Sequence, residues 1–179
     1  GTGDYSDIYY SKLGQDNKWQ MAVNMKKPLN NNTTNSVNSV TPDGNTLFLL
    51  HTYNADGTFK SAGLSISNRT GSTWGVPADL TIIDHYNLND YNEFCMSNDK
   101  NVIILAVERE GTYGDKDLYV SFNIDGQLWS VPLNLGPVVN TKRGEISPFL
   151  AADNTTLYFS SDGHPGYGSN DIFLTRRLD

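Results

Sequence analysis

The sequence predicts an all-β chain built from one motif repeated a little more than three times. Three observations carry this. Trp19, Trp74 and Trp129 are spaced 55 and 55 residues apart. A short strand lies upstream of each: Asp7-Ile-Tyr-Tyr-Ser, Gly63-Leu-Ser-Ile-Ser and Asp117-Leu-Tyr-Val-Ser, with a fourth copy, Asp171-Ile-Phe-Leu-Thr. A third marker keeps the same beat: Pro42-Asp-Gly-Asn-Thr-Leu-Phe-Leu-Leu matches Asn98-Asp-Lys-Asn-Val-Ile-Ile-Leu and Ala152-Asp-Asn-Thr-Thr-Leu-Tyr-Phe. A fixed period of this length marks stacked supersecondary units.

Each unit reads as four short strands. Strand A is Ser36–Val40, Glu93–Met96 or Ile146–Leu150. A polar turn led by Asp43, Asp99 or Asp153 follows, where the carboxylate can accept nearby backbone N–H groups. Strand B is Leu47–Leu50, Val102–Ala106 or Leu157–Ser160, apolar runs that predict burial on both faces. Strand C is the marker at Asp7, Gly63, Asp117 and Asp171. Strand D starts at the Trp and runs Trp74-Gly-Val-Pro-Ala-Asp-Leu or Trp129-Ser-Val-Pro-Leu-Asn-Leu. Proline cannot donate to a ladder, so Pro77 and Pro132 put D at the outer edge.

Four-stranded units at a fixed period, covered on both faces, predict β-propeller blades of antiparallel strands. The chain reads as one propeller segment, 1–179, with a partial unit at 1–35, full units at 36–90 and 91–144, and a partial unit at 145–179. That gives about three blades, part of a larger ring of roughly six. Flanking blades or a second copy in a homodimer would complete it. The three Trp side chains are expected to be largely buried at equivalent strand starts.

Composition excludes several function classes. The net charge of −7 repels nucleic acid phosphates, and Lys26–Lys27 and Arg176–Arg177 are only isolated basic pairs. No apolar run is long enough to span a membrane as a helix. Cys95 is the only cysteine, which rules out an internal disulfide and leaves a buried, inert thiol as the expectation. His51, His85 and His164 lack zinc-ligand spacing, and no Gly-x-Ser-x-Gly is present. No metal or cofactor is expected. Asp7, Asp117 and Asp171 follow the glycine-rich loops Gly1-Thr-Gly, Gly111-Thr-Tyr-Gly and Gly166-Tyr-Gly. A carboxylate accepting backbone N–H groups at the strand start is expected there rather than a cation site of Asp115 with Asp117.

The stretch from Ile146-Ser-Pro-Phe-Leu-Ala-Ala-Asp to Asp171-Ile-Phe-Leu-Thr-Arg-Arg-Leu-Asp resembles the WD-like propeller repeat of TolB-type proteins. It is most similar to the propellers that precede OmpA-like, peptidoglycan-binding domains in envelope proteins of Bacteroidota. The first copy departs from the pattern, with Ala22 where later copies have Pro77 and Pro132. The resemblance implies a non-enzymatic binding or scaffolding module, exported to the periplasm or outer membrane of a Gram-negative cell. The implied partners are envelope proteins, or peptidoglycan and glycan through neighbouring domains. The alternative is a carbohydrate-active, sialidase-like propeller enzyme, suggested by the Asp-box-like Asp125-Gly-Gln-Leu-Trp. Such catalysis needs an arginine cluster, and Arg69, Arg109, Arg143, Arg176 and Arg177 supply at most one or two on a common face.

Topology points to a binding surface. In a four-stranded unit the D-to-A and B-to-C loops emerge at the same end. Here they are long: 51–62, 84–92, 108–116, 140–145 and 161–170. They carry Tyr53, Tyr86, Tyr91, Arg109, Tyr113, Arg143, His164 and Tyr167. Loops carry function disproportionately, and Tyr and Arg are the usual anchors of binding hot spots.

Overall fold

A computed structural model of the chain describes residues 5–41 and 43–178. The Gly1-Thr-Gly loop and Pro42 lie outside the described residues. The described residues contain no helix, hence none long and apolar enough to cross a membrane, and 44% of the chain is strand. The chain divides into two compact units, Gly1–Leu80 and Thr81–Asp179.

In the first unit β1 (Tyr9–Tyr10) pairs antiparallel with β2 (Val23–Asn24). A second sheet joins β3 (Val37–Val40), β4 (Thr46–Tyr53) and β5 (Phe59–Thr70). A short β6 (Thr73–Trp74) folds back on the end of β5. The first three residues of β7 (Ala78–Ile82) then pair with Leu64–Ile66. β4 is covered on both faces, as its apolar run requires. Leu47, Leu49 and Tyr53 pack with Leu29 in a core closed by Ile8, Met25 and Trp74.

In the second unit the last two residues of β7 run parallel to β11 (Leu128–Trp129). β8 (Glu93–Met96), β9 (Val102–Val107), β10 (Asp117–Phe122) and β12 (Leu133–Asn134) form an antiparallel sheet in that order. β13 (Glu145–Leu150), β14 (Thr156–Ser161) and β15 (Asp171–Arg176) form another. The two sheets share one core of Cys95, Ile104, Leu118, Leu150, Leu157 and Phe159. Cys95 is buried there and its Sγ accepts the Leu150 N–H at 3.2 Å. Burial pushes its thiol pKa up, so it stays protonated and inert.

The repeat reappears in hydrogen bonds. Asp43, Asp99 and Asp153 each accept the N–H two residues on, at 3.0, 3.1 and 2.9 Å. The hydroxyls of Ser97 and Thr156, joined by these backbone bonds, hold Asp99 and Asp153 below the usual carboxylate range.

Three expectations are corrected. Strand D is not continuous from the Trp: the chain breaks between β6 and β7, and again between β11 and β12. Pro77 and Pro132 fall in these breaks, where no ladder N–H is needed. The 51–62 loop is mostly strand, because β4 and β5 extend through two register shifts to a tight turn at 54–58. His51, with φ of 74°, absorbs one of them. Finally, Trp129 is 1% exposed, Trp74 is half-buried, and Trp19 is 72% exposed. Among the described residues Trp19 bridges only to Leu13, beside the two-stranded β1–β2 ribbon.

Candidate functional site

Four connections of the second unit, 83–92, 108–116, 135–144 and 162–170, are laced into one surface. Glu108 N–H donates to Asn87 Oδ1 at 2.8 Å, and Glu110 N–H donates to the Tyr86 hydroxyl at 3.0 Å. Asp115 N–H donates to the Arg143 carbonyl at 3.1 Å. Gly114 makes that approach possible, since a Cβ there would lie 2.0 Å from the same oxygen. Gly144 N–H donates to Asp162 Oδ1 at 3.0 Å, and Arg143 Nη1 reaches Asp162 Oδ2 at 3.4 Å.

This lacing presents aromatic rings on a fixed backbone. Tyr113 N–H donates to Asp117 Oδ2 at 3.0 Å, and Tyr167 N–H donates to Asp171 Oδ2 at 2.7 Å. The carboxylates at the strand starts therefore take backbone N–H groups, and each bond anchors a tyrosine whose ring is exposed. Tyr91 is similarly held, with its N–H on Asn89 Oδ1 at 3.2 Å and its carbonyl on Asn87 Nδ2 at 3.1 Å. With Arg143, also exposed, these rings form a rim whose main chain is ordered before any partner arrives. Pre-ordering removes part of the entropic cost of binding.

The other predicted residues support this rim or lie elsewhere. Arg109 is buried beneath it, with its guanidinium 4.6 Å from the Tyr86 ring and 5.7 Å from the Tyr119 ring. Its Nη2 pairs with Asp84 Oδ2 at 3.1 Å. Burial and the Arg109 charge both lower the His85 pKa, so that imidazole is neutral at pH 7. His164 Nε2 bonds to the Val139 carbonyl at 2.8 Å while its ring packs on Phe173 and Phe159. Tyr53 belongs to the first unit, inside β4 rather than a loop, with its hydroxyl on the Leu29 carbonyl at 3.3 Å.

Sequence reasoning missed the supports: Asp84, Asn87, Tyr119 and Asp162. Only Tyr119 carried a repeat signal, and that signal reads as strand.

Two carboxylates are fully buried behind the rim. Glu145 accepts the hydroxyls of Thr141 and Ser161, each at 2.7 Å. Burial pushes Asp117 above the usual carboxylate range and the nearby Glu145 adds to this, against the bonds from Tyr113 and Asn134. Both are sealed from solvent by the loops they tie down. Among the described residues no three His, Cys, Asp or Glu side chains converge to hold a metal ion. Against known proteins, no family model, no curated protein and no solved structure matches the chain.

Proposed function

We propose that the sheets are blades of a β-propeller, and that the chain is a non-enzymatic binding module of the Gram-negative cell envelope. Its contact surface is the rim of Tyr91, Tyr113, Arg143 and Tyr167, and its partner is another envelope protein. The observation that carries this reading is the anchoring of exposed tyrosines by strand-start carboxylates, repeated at Tyr113 and Tyr167. A tyrosine whose backbone is fixed this way loses less main-chain entropy on binding, as binding anchors require. The blade assignment is supported by β3–β4–β5–β7 and β8–β9–β10–β12, which share one strand order, and by β13–β14–β15, which repeats its first three strands. The envelope assignment rests on the likeness of the repeat to TolB-type propellers. The sealed setting of Asp117 and Glu145 argues against the carbohydrate-active alternative, whose carboxylates must meet substrate.

The test is photo-cross-linking in envelope preparations with benzoylphenylalanine in place of Tyr113 or Tyr167. One discrete protein adduct, shared by both positions, is expected. Diffuse labelling at both, or turnover of glycosides by the pure chain, would overturn the reading.

A further inference from the structure

We propose that the open edge of β15 is a docking site for a strand of another polypeptide. The strand carries an apolar–Asn–apolar triplet and a second Asn six residues after the first. The edge groups, at Ile172 and Leu174, are not part of the tyrosine rim.

Among the described residues β15 pairs with β14 alone. The Arg177 N–H donates to the Thr155 carbonyl at 3.0 Å. Backbone groups alternate in direction along a strand, so those of Ile172 and Leu174 point to the open side. An uncovered edge is a template for pairing.

The repeat defines what pairs there. Asp7-Ile8, Asp117-Leu118 and Asp171-Ile172 start three copies of one strand, and Leu118 pairs with Ala106 as Ile172 pairs with Ser160. Ile8 and Leu118 are covered by the same clamp. Asn24 and Asn134 donate from Nδ2 to Asp7 and Asp117, at 2.8 and 2.7 Å. The Met25 and Leu135 N–H groups donate to the Ile8 and Leu118 carbonyls, both at 3.0 Å. Asn30 and Asn140 accept the Ile8 and Leu118 N–H groups, both at 2.8 Å. Each also donates from Nδ2 to the same residue's carbonyl and to the first asparagine.

Asp171 has the acceptor in place. Its Oδ2 takes the N–H groups of Tyr167 and Gly168, as Asp117 Oδ2 takes that of Tyr113. The remaining copy shows that the asparagine answers the aspartate. There the strand starts at Gly63, and the residue that covers it, opposite Ser65, is Asp79, which pairs with Lys60 instead. A strand that starts with Asp171 therefore requires asparagine. Val23 and Leu133 lie opposite Tyr10 and Val120, so the first apolar residue of the incoming strand lies opposite Leu174, itself 52% exposed. Val23–Asn30 and Leu133–Asn140 carry the full pattern, but both are engaged where they stand, so the occupant comes from another polypeptide. The turn after the triplet closes on itself, through the Gly136 N–H on Asn134 Oδ1 and the Asn140 N–H on the Gly136 carbonyl. A short peptide can therefore carry the whole clamp.

The experiment is an NMR titration of the full chain with a peptide of the sequence Ser130–Thr141, followed at the Ile172 and Leu174 amides. Sub-millimolar binding is expected, with shifts concentrated on β15. A peptide bearing Asn134→Ala and Asn140→Ala should bind at least about tenfold more weakly. In the chain, Ile172→Pro removes a donor that faces the open side, which an edge strand tolerates, and should weaken binding to a similar degree. If that variant does not fold, the two peptides still decide. Tyr113→Ala should leave peptide binding unchanged, so the edge and the rim can fail separately. No binding at millimolar peptide would overturn the proposal, as would shifts centred away from β15, equal affinity for the two peptides, or loss of binding in Tyr113→Ala.

Discussion

Asn30 and Asn140 lie two periods apart and make the same three side-chain bonds, yet Trp19 and Trp129, at the same spacing, end at 72% and 1% exposure. The asparagine bonds are local: each bridges a C-type strand to the connection that follows its D-type strand. Burial of a Trp depends on what packs over it. Trp129 stands in β11, alongside the end of β7, whereas among the described residues Trp19 bridges only to Leu13. A repeat therefore transmits its hydrogen-bond skeleton faithfully and its burial only where a neighbouring strand completes the environment.

The largest expected effect would break that comparison most visibly. Trp129→Ala should cost about 3–5 kcal/mol. Trp19→Ala should change stability by no more than about 0.5 kcal/mol, as for an exposed site. Urea unfolding followed by circular dichroism checks both, and equal losses would mean that the two tryptophans share one environment.

Next, Asn140→Ala should cost about 1–3 kcal/mol, because it strands the buried Leu118 N–H, while the Leu118 carbonyl keeps the Leu135 N–H at 3.0 Å. Asn30→Ala should fall within about 1 kcal/mol of the same value, since it strands the Ile8 N–H while the Ile8 carbonyl keeps the Met25 N–H. A wide gap between the two would show that the shared skeleton does not carry shared energetics.

A smaller effect is confined to the second unit. Burial raises the Glu93 pKa, but Lys116, at 2.7 Å, and the Ser147 N–H outweigh it and bring it below its ordinary 4.5. A depressed carboxylate stabilises the fold above that ordinary value, and the contribution is lost as pH falls through the folded one. Glu93→Gln should therefore cost about 1–2 kcal/mol at pH 7. Melts repeated toward pH 3 should show the variant and the parent converging.

Much of the fold was legible because its signals are local. The Asp43, Asp99 and Asp153 turns, the doubly covered β4 and β9, and the carboxylates at Asp117 and Asp171 all follow from a short stretch of sequence. What the sequence hid was long-range. The parallel pairing of Trp129 with Ile82 joins residues with no shared motif. The extension of β4 to Tyr53 depends on bulges at His51, which leave no pattern in the sequence. Of the site, Tyr91, Tyr113, Arg143 and Tyr167 stood out as loop residues. Arg109 and His164 looked identical to them, because a sequence cannot tell a side chain that points outward from one stacked beneath the rim.

The central claim is that the rim of the second unit is a contact surface rather than structural padding. It is tested most directly by affinity capture from envelope extracts, comparing the parent chain with the combined Tyr113→Ala, Arg143→Ala and Tyr167→Ala variant. All three side chains are exposed, so each substitution should cost no more than about 0.5 kcal/mol of stability. The account predicts loss of one specific captured protein, with the thermal melt nearly unchanged. An identical captured set from the two chains would contradict it.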